Sequence, residues 1–229
     1  VHLAANNENR ALNSSPFKII NTNLIGRLSI MEVSVNKNSI KTITMISSKE
    51  VDRKSRQGIH KNIIHPYAAS KFCTEILAKS YIDNYKLPII VLKFDNIFGE
   101  GDLNFNRLIP NITKKLILNK PINFKNKNNL FRGFIYIEDI IEVLEKSIEN
   151  YSSIHSKNII NLNSAELISI REVANRISKI LGKKKINFRV KEKIKKNTLK
   201  KNVYNWKSKT KFNDGLRKTV NWYKDYLEI

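Results

Sequence analysis

Pro66 to Tyr85 (PYAASKFCTEILAKSYIDNY) runs within two residues into Leu87 to Phe94 (LPIIVLKF). The first stretch is long enough for five turns and opens on a proline, whose fixed φ suits a first helical position. The second is short, apolar and β-branched, the pattern of a strand covered on both faces. A helix feeding a buried strand is half of a parallel crossover unit. Upstream, Ile40 to Ile46 (IKTITMI) reads as a second buried strand and Ile19 to Val35 as a helix. Val1 to Ala4 reads as the tail of another strand. Downstream, helices are expected over Asn106 to Leu118 (interrupted at Pro110), Glu138 to Ile148, Ile170 to Leu181 and Asp214 to Tyr226, with a strand over Asn158 to Leu162. This alternation predicts an α/β fold built on a parallel sheet. Linkers are expected at Asn123 to Asn129 and in the basic stretch after Gly182.

In open parallel sheets, ligands bind beyond the carboxyl ends of the strands. Here those ends carry Ala4 and Ala5, Ser47 and Ser48, and Asn96. Small and hydroxyl-bearing side chains leave room for a ligand and offer it hydrogen bonds. Tyr67 and Lys71, four apart on the expected helix, share one face. A phenol with an ordinary pKa of about 10 is too weakly acidic to serve as a base near neutrality. A neighbouring ammonium favours the phenolate. Ser48 could hydrogen-bond the same substrate hydroxyl. The three together suit removal of a proton from a sugar or alcohol hydroxyl while its carbon is oxidised.

Composition narrows the alternatives. The 229 residues carry 42 Lys and Arg against 20 Asp and Glu, a formal net charge of +22, with 41% hydrophobic residues and one cysteine. That apolar content excludes general disorder, and a single cysteine excludes a disulfide scaffold or a Cys-based metal cluster. The lysines are spread along the chain among many Asn and Ile. The densest run, Lys183 to Lys201, holds Phe188 as its one aromatic stacking residue, so a nucleic-acid partner is not expected. No apolar run of about 18 residues occurs, so neither a membrane span nor a membrane partner is expected. The opening VHLAANNENR lacks the shape of a signal peptide, and a cytoplasmic setting is expected. His2, His60, His65 and His155 show no metal-ligand spacing, and no metal is expected. Cys73 reads as a small buried side chain, Asp139 as a helix-start residue, and Trp206, Trp222 and Tyr223 as packing for the C-terminal domain.

Several stretches together resemble the extended short-chain dehydrogenase/reductases of the NAD-dependent epimerase/dehydratase family, which modify nucleotide sugars. These are VHLAA (Val1 to Ala5), NTNLIGRLSIME (Asn21 to Glu32), ISSKEV (Ile46 to Val51), HPYAASK (His65 to Lys71), LPIIVLKFDNIFGEGD (Leu87 to Asp102), RGFIYIEDI (Arg132 to Ile140), WKSK (Trp206 to Lys209) and GLRKTVNWY (Gly215 to Tyr223). Within the family, GEGDLNFNRLIP (Gly99 to Pro110) is most similar to CDP-glucose 4,6-dehydratases. The resemblance implies Tyr67 as base, Lys71 as cofactor-ribose and tuning residue, and Ser48 as hydroxyl partner. It also implies Ala4, Ala5 and Ser47 along the cofactor, and Asn96, Arg107 and Arg132 on the substrate, an NDP-hexose oxidised at carbon 4. The implied fold is a Rossmann-like doubly wound parallel sheet over 1–100 with a smaller C-terminal substrate-binding domain over 101–229, of which 134–162 returns to the first. The implied cofactor is NAD, with NADP as the alternative, and the implied assembly is a homodimer through the helix carrying Tyr67.

Some positions depart from the family's pattern. Dehydratases carry an acid directly after the Ser or Thr, whereas this chain has Lys49 and then Glu50. Glu50 is the candidate base at carbon 5 and Lys49 a candidate acid; an epimerase needs neither. Asp52 stands where a Tyr is usual and Gly133 where an Asp is usual. Gly99-x-Gly101-x-x-Asn104 imitates a dinucleotide fingerprint but matches a later loop of the family. The glycine-rich strand–turn–helix that opens such enzymes does not occur in this sequence, so the resemblance implies that the front of the cofactor-binding unit precedes Val1. A catalytically inactive sugar-nucleotide-binding fragment or scaffold is therefore the alternative reading. A basic nucleic-acid-binding protein is a more distant one.

Overall fold

The computed structural model describes residues 1–6, 15–52, 66–122, 131–149, 158–184, 186, 206 and 208–228, the side chains of Glu50 and Asp52 excepted. His60, His65, His155, the expected linker at 123–129 and residues 187–201 of the basic run lie outside that set. The chain divides into two compact units, Val1–Phe94 with Val143–Leu162, and Asp95–Glu142 with Asn163–Ile229.

The first unit is built on three parallel strands in the order β1 (Ile43–Ser48), β2 (Ile89–Phe94), then the strand Ile159–Leu162. Ile43, Met45, Ile89 and Val91 alternate onto one face and pack with Met31, Ala78, Tyr81 and Leu87. Met31 belongs to helix α2 (Gly26–Ser34), and Ala78 and Tyr81 to helix α3 (Pro66–Tyr85). On the other face Thr44 Oγ1 lies 3.1 Å from Ser147 Oγ. With helices on both faces, all six residues of β2 are buried, which is why that strand is nearly all apolar.

Helix α1 (Pro16–Ile20) runs through a π-helical turn, Asn21–Ile25, directly into α2. The expected helix at 19–35 is thus one continuous helical stretch with a widened turn in it. The expected first strand is reduced to a single parallel bridge, His2 to Met45. The expected strand at 40–46 is shifted toward the carboxyl side, because Ile40 pairs its amide with Lys37 in a turn.

The second unit holds strands β3 (Asn96–Phe98), β4 (Phe131–Tyr136) and Leu167–Ser169; β3 pairs with β4 in parallel, and β4 with Leu167–Ser169 in antiparallel fashion. None of the three stands out in the sequence, being short or, in β4, broken by Gly133. We number the strand Ile159–Leu162 β5 and Leu167–Ser169 β6. Helices α4 (Leu108–Ile117), α6 (Ile170–Ile180) and α7 (Phe212–Tyr226) supply Ile109, Ile112, Val173, Ala174, Ile177, Phe212, Leu216 and Val220 to a core around Phe98, Phe134 and Tyr136. Ile170, Val173, Ala174 and Ile177 stand at the spacing of one helix face. Pro110 does not interrupt α4. It lies in the first turn, where its missing amide has no carbonyl to meet.

Helix α5 (Ile137–Glu149) follows β4 without a break. Asp139 does more than face a helix start: its carboxylate accepts hydrogen bonds from the Thr210 amide and hydroxyl and from Ser208 Oγ, fastening that segment. Tyr223 is buried and donates to the Asp102 carbonyl at 2.6 Å, while Trp222 stacks on Tyr226. Cys73 is exposed rather than buried. The inward positions of α3 are Ser70, Lys71, Thr74, Glu75, Ala78 and Tyr81, a phase that turns 73 outward.

Candidate active site

The candidate site in the first unit begins where β1 ends. Ser47 and Ser48 close the strand opposite Lys93 and Phe94 of β2. A 3-10 turn, Lys49–Asp52, follows, and α3 packs against both β1 and that turn. Tyr67 and Lys71 occupy the first two turns of α3. The ammonium of Lys71 stands 5.6 Å from the centre of the Tyr67 ring and donates to the Ile46 carbonyl at 3.0 Å. The helix spacing thus brings the Tyr67 ring and the ammonium together, and the ammonium is anchored two residues before Ser48.

Lys71 is 2% exposed. Burial, with the Arg27 charge added, holds its ammonium down to about 7 against the pull of Glu75. Ser47 is buried, and its hydroxyl donates to the Glu75 carboxylate, whose other oxygen accepts from Lys93 Nζ at 2.9 Å. Ser47 is therefore turned into an internal network, whereas Ser48 stands at the strand's end. Lys49 lies in the turn, and the Glu50 side chain falls outside the described ones.

Ala4 and Ala5 are exposed and sit just after the His2–Met45 bridge. The Asn23 side chain fixes the residue that follows them: its Oδ1 accepts from the Asn6 amide at 2.7 Å, and its Nδ2 donates to the Asn6 carbonyl at 2.9 Å and to Ser70 Oγ at 3.0 Å. Asn23 lies in the π-helical turn, a distortion that aims it at both partners.

In the second unit, Asn96 opens β3 opposite Phe134 and donates from Nδ2 to the Gly133 carbonyl at 2.8 Å. Arg132 stands beside Gly133 on β4, opposite Ile168. A side chain at 133 would strike Ser164 Oγ at 2.2 Å and Asp95 Oδ2 at 2.4 Å. The Asp95 carboxylate fills that space and accepts from the Ser164 amide at 2.8 Å. With Asp95 in that place, position 133 has no room for a side chain. Arg107, at the N-terminal cap of α4, is exposed and pairs with Asp102 at 3.0 Å.

Sequence reading missed Asn23, Arg27, Glu75 and Lys93. Two carried a signal: Lys93 is a charge inside an apolar strand, and Glu75 follows Lys71 by one helical turn on the same face. Among the described residues no cluster of three or more His, Cys, Asp or Glu is placed to hold a metal. No described helix is long and apolar enough to cross a membrane.

Comparison with known proteins agrees with this architecture. UDP-glucuronate 4-epimerase of Thermodesulfobacterium geofontis is 27% identical over 245 residues, covering 100% of this chain and 73% of its own. A trifunctional protein of Arabidopsis thaliana, whose first named activity is UDP-glucose 4,6-dehydratase, is 26% identical over 100% of this chain and 36% of its own length. The solved structure of Bordetella bronchiseptica WbmF, in complex with NAD+ and UDP, matches with a TM-score of 0.79 at 21% identity, covering 99% of this chain and 72% of that one. At that identity the structural match establishes a common Rossmann-like fold. The model of the NAD dependent epimerase/dehydratase family matches residues 1–162. That match spans more than half of the chain, and the chain belongs to the NAD dependent epimerase/dehydratase family.

Proposed function

We propose that this chain serves the oxidation of a nucleotide sugar at carbon 4, with Tyr67 as the base, Lys71 as the residue that tunes it and Ser48 as the partner of the reacting hydroxyl. The observation that carries the reading is the placement of Lys71 Nζ, on the Ile46 carbonyl and 5.6 Å from the Tyr67 ring. An amine and a phenol at a strand end are what deprotonation of a sugar hydroxyl needs.

The family's cofactor is NAD, and residues of this chain suit its ribose side. An ammonium has three donors, and Lys71 commits one to Ile46. Ala4 and Ala5 are exposed with minimal side chains. When bound, NAD supplies the acceptor and later donor of the electron pair. The chain's own work is to hold the sugar hydroxyl between Ser48 and Tyr67, to take its proton on the Tyr67 oxygen, and to return that proton afterward. The second unit is proposed to hold the sugar nucleotide through Asn96, Arg107 and Arg132, guanidinium forks being suited to a pyrophosphate.

Between the two branches of the family, 4-epimerisation is favoured over dehydration, because Lys49 rather than an acid follows Ser48. Elimination of water needs an acid/base pair there; epimerisation does not. The test is to incubate the full chain with NAD and, separately, UDP-glucuronate, UDP-glucose and dTDP-glucose, and to follow the sugar by NMR. A 4-epimer is expected from at least one UDP-sugar. A 4-keto-6-deoxy product would overturn the epimerase assignment. No turnover, with retained sugar-nucleotide binding, would replace catalysis by the binding-fragment reading.

A further inference from the structure

Arg27 stands in the first turn of α2 and is completely buried. Its Nη2 donates to the Ile46 carbonyl at 2.7 Å, the same oxygen that Lys71 Nζ reaches at 3.0 Å. Two cations on one oxygen lie within about 6 Å of each other, a range in which each disfavours the other's charged form. The oxygen is available because a parallel pairing ends there. The His2 amide donates to Thr44 O at 2.9 Å, the bridge stops at His2 and Met45, and the next acceptor along that edge is Ile46 O. Arg27 Nε and Nη1 are buried and, among the described residues, without hydrogen-bond partners. A guanidinium kept under those conditions costs stability, and each such group calls for an explanation.

We propose that Arg27 is a positioning residue for Lys71, sharing the Ile46 carbonyl with it and supplying the permanent positive charge beside Tyr67, so that Lys71 is left free to exchange its proton. The proposal rests on the reading of Tyr67 and Lys71 as the proton-transfer pair. A guanidinium does not deprotonate in the accessible range, whereas an ammonium does. Among the described residues, the groups that face Lys71 are Arg27 from α2, Tyr67 and Glu75 from α3, and His2 from the opening segment. Glu75 is the one counter-charge among them, and it is already engaged by Lys93 and Ser47. Tyr67 in turn favours the charged form of the Arg27 guanidinium. The depressed proton affinity of Lys71 agrees with this arrangement.

The test is the titration of Lys71 itself in the full chain. Protein labelled with 13C at the lysine Cε is followed by NMR against pH, and the Lys71 resonance is assigned by its disappearance in Lys71→Met. The native midpoint is expected near 7. Arg27→Gln is expected to raise it by at least about one pH unit, and Arg27→Lys to keep it low. A native midpoint at the ordinary lysine value overturns the proposal without any variant. So does an Arg27→Gln midpoint equal to the native one. Should Arg27→Gln not fold, Arg27→Lys decides: a rise to the ordinary lysine value removes the charge-sharing argument, and a low midpoint supports it. The titration needs no turnover, so its outcome is separate from that of the sugar-nucleotide assay.

Discussion

At the scale of single residues, the candidate site is a competition between burial and charge. The Lys71 ammonium is desolvated and faces Arg27, and both effects outweigh Glu75. The spacing of Tyr67 and Lys71 was legible because it is local: four residues on one helix share a face whatever else the chain does. Arg27, Asn23 and Lys93 were not legible, since their partners Ile46, Asn6 and Glu75 stand 19, 17 and 18 residues away in sequence. One prediction belongs at this scale. Tyr67→Phe removes the proposed proton acceptor and keeps the ring, so kcat should fall about 10²–10⁴-fold. Steady-state kinetics checks it, with an unchanged urea midpoint to show that the fold survives.

At the scale of elements, backbone geometry and close approach decide. Ser169 caps α6 by accepting from the Glu172 amide at 3.1 Å. Ser169→Ala should destabilise by about 0.5–2 kcal/mol, read as a lower urea midpoint at constant m. Gly215 lies within α7, where alanine would ordinarily gain about 1 kcal/mol of helix propensity. A Cβ there would stand 2.7 Å from the Tyr136 ring, however, and 3.2 Å from Phe98. That ring cannot withdraw: it is buried in the core and its hydroxyl donates to Glu100 at 2.8 Å. Overpacking of about 1–3 kcal/mol therefore outweighs the propensity gain, and Gly215→Ala should lower the thermal midpoint. A raised midpoint would show that Tyr136 moves. The long elements α3 and β2 were legible from periodicity alone. Strands β3, β4 and β6 were not, because three residues, or six broken by a glycine, carry no period.

At the scale of the whole molecule, buried titratable groups set how stability varies with pH. Lys71 binds its proton more weakly in the folded chain than in the unfolded one. Between about pH 7 and the ordinary lysine value of about 10.4, the unfolded chain holds more protons. Stability from this group therefore rises with pH across that window. The Tyr136 and Tyr223 phenols are pushed above their ordinary value, chiefly by burial. The unfolded chain loses these protons first, so their contribution falls as pH rises past about 10. Unfolding midpoints should thus climb from neutral pH toward about 10 and then drop. Lys71→Met should flatten the climb and leave the drop, a pattern that urea titrations at a series of pH values would check.

The fold class and the proximity of Tyr67 to Lys71 were readable in the sequence, because apolar periodicity and a four-residue helical spacing act within a few turns of chain. The three-dimensional arrangement was needed to choose which charges share a carbonyl, which carboxylate fills the space beside Gly133, and which side of α3 carries Cys73. Those outcomes depend on distances between segments far apart in sequence, and on burial, which converts a remote neighbour into a strong one by removing the water between them.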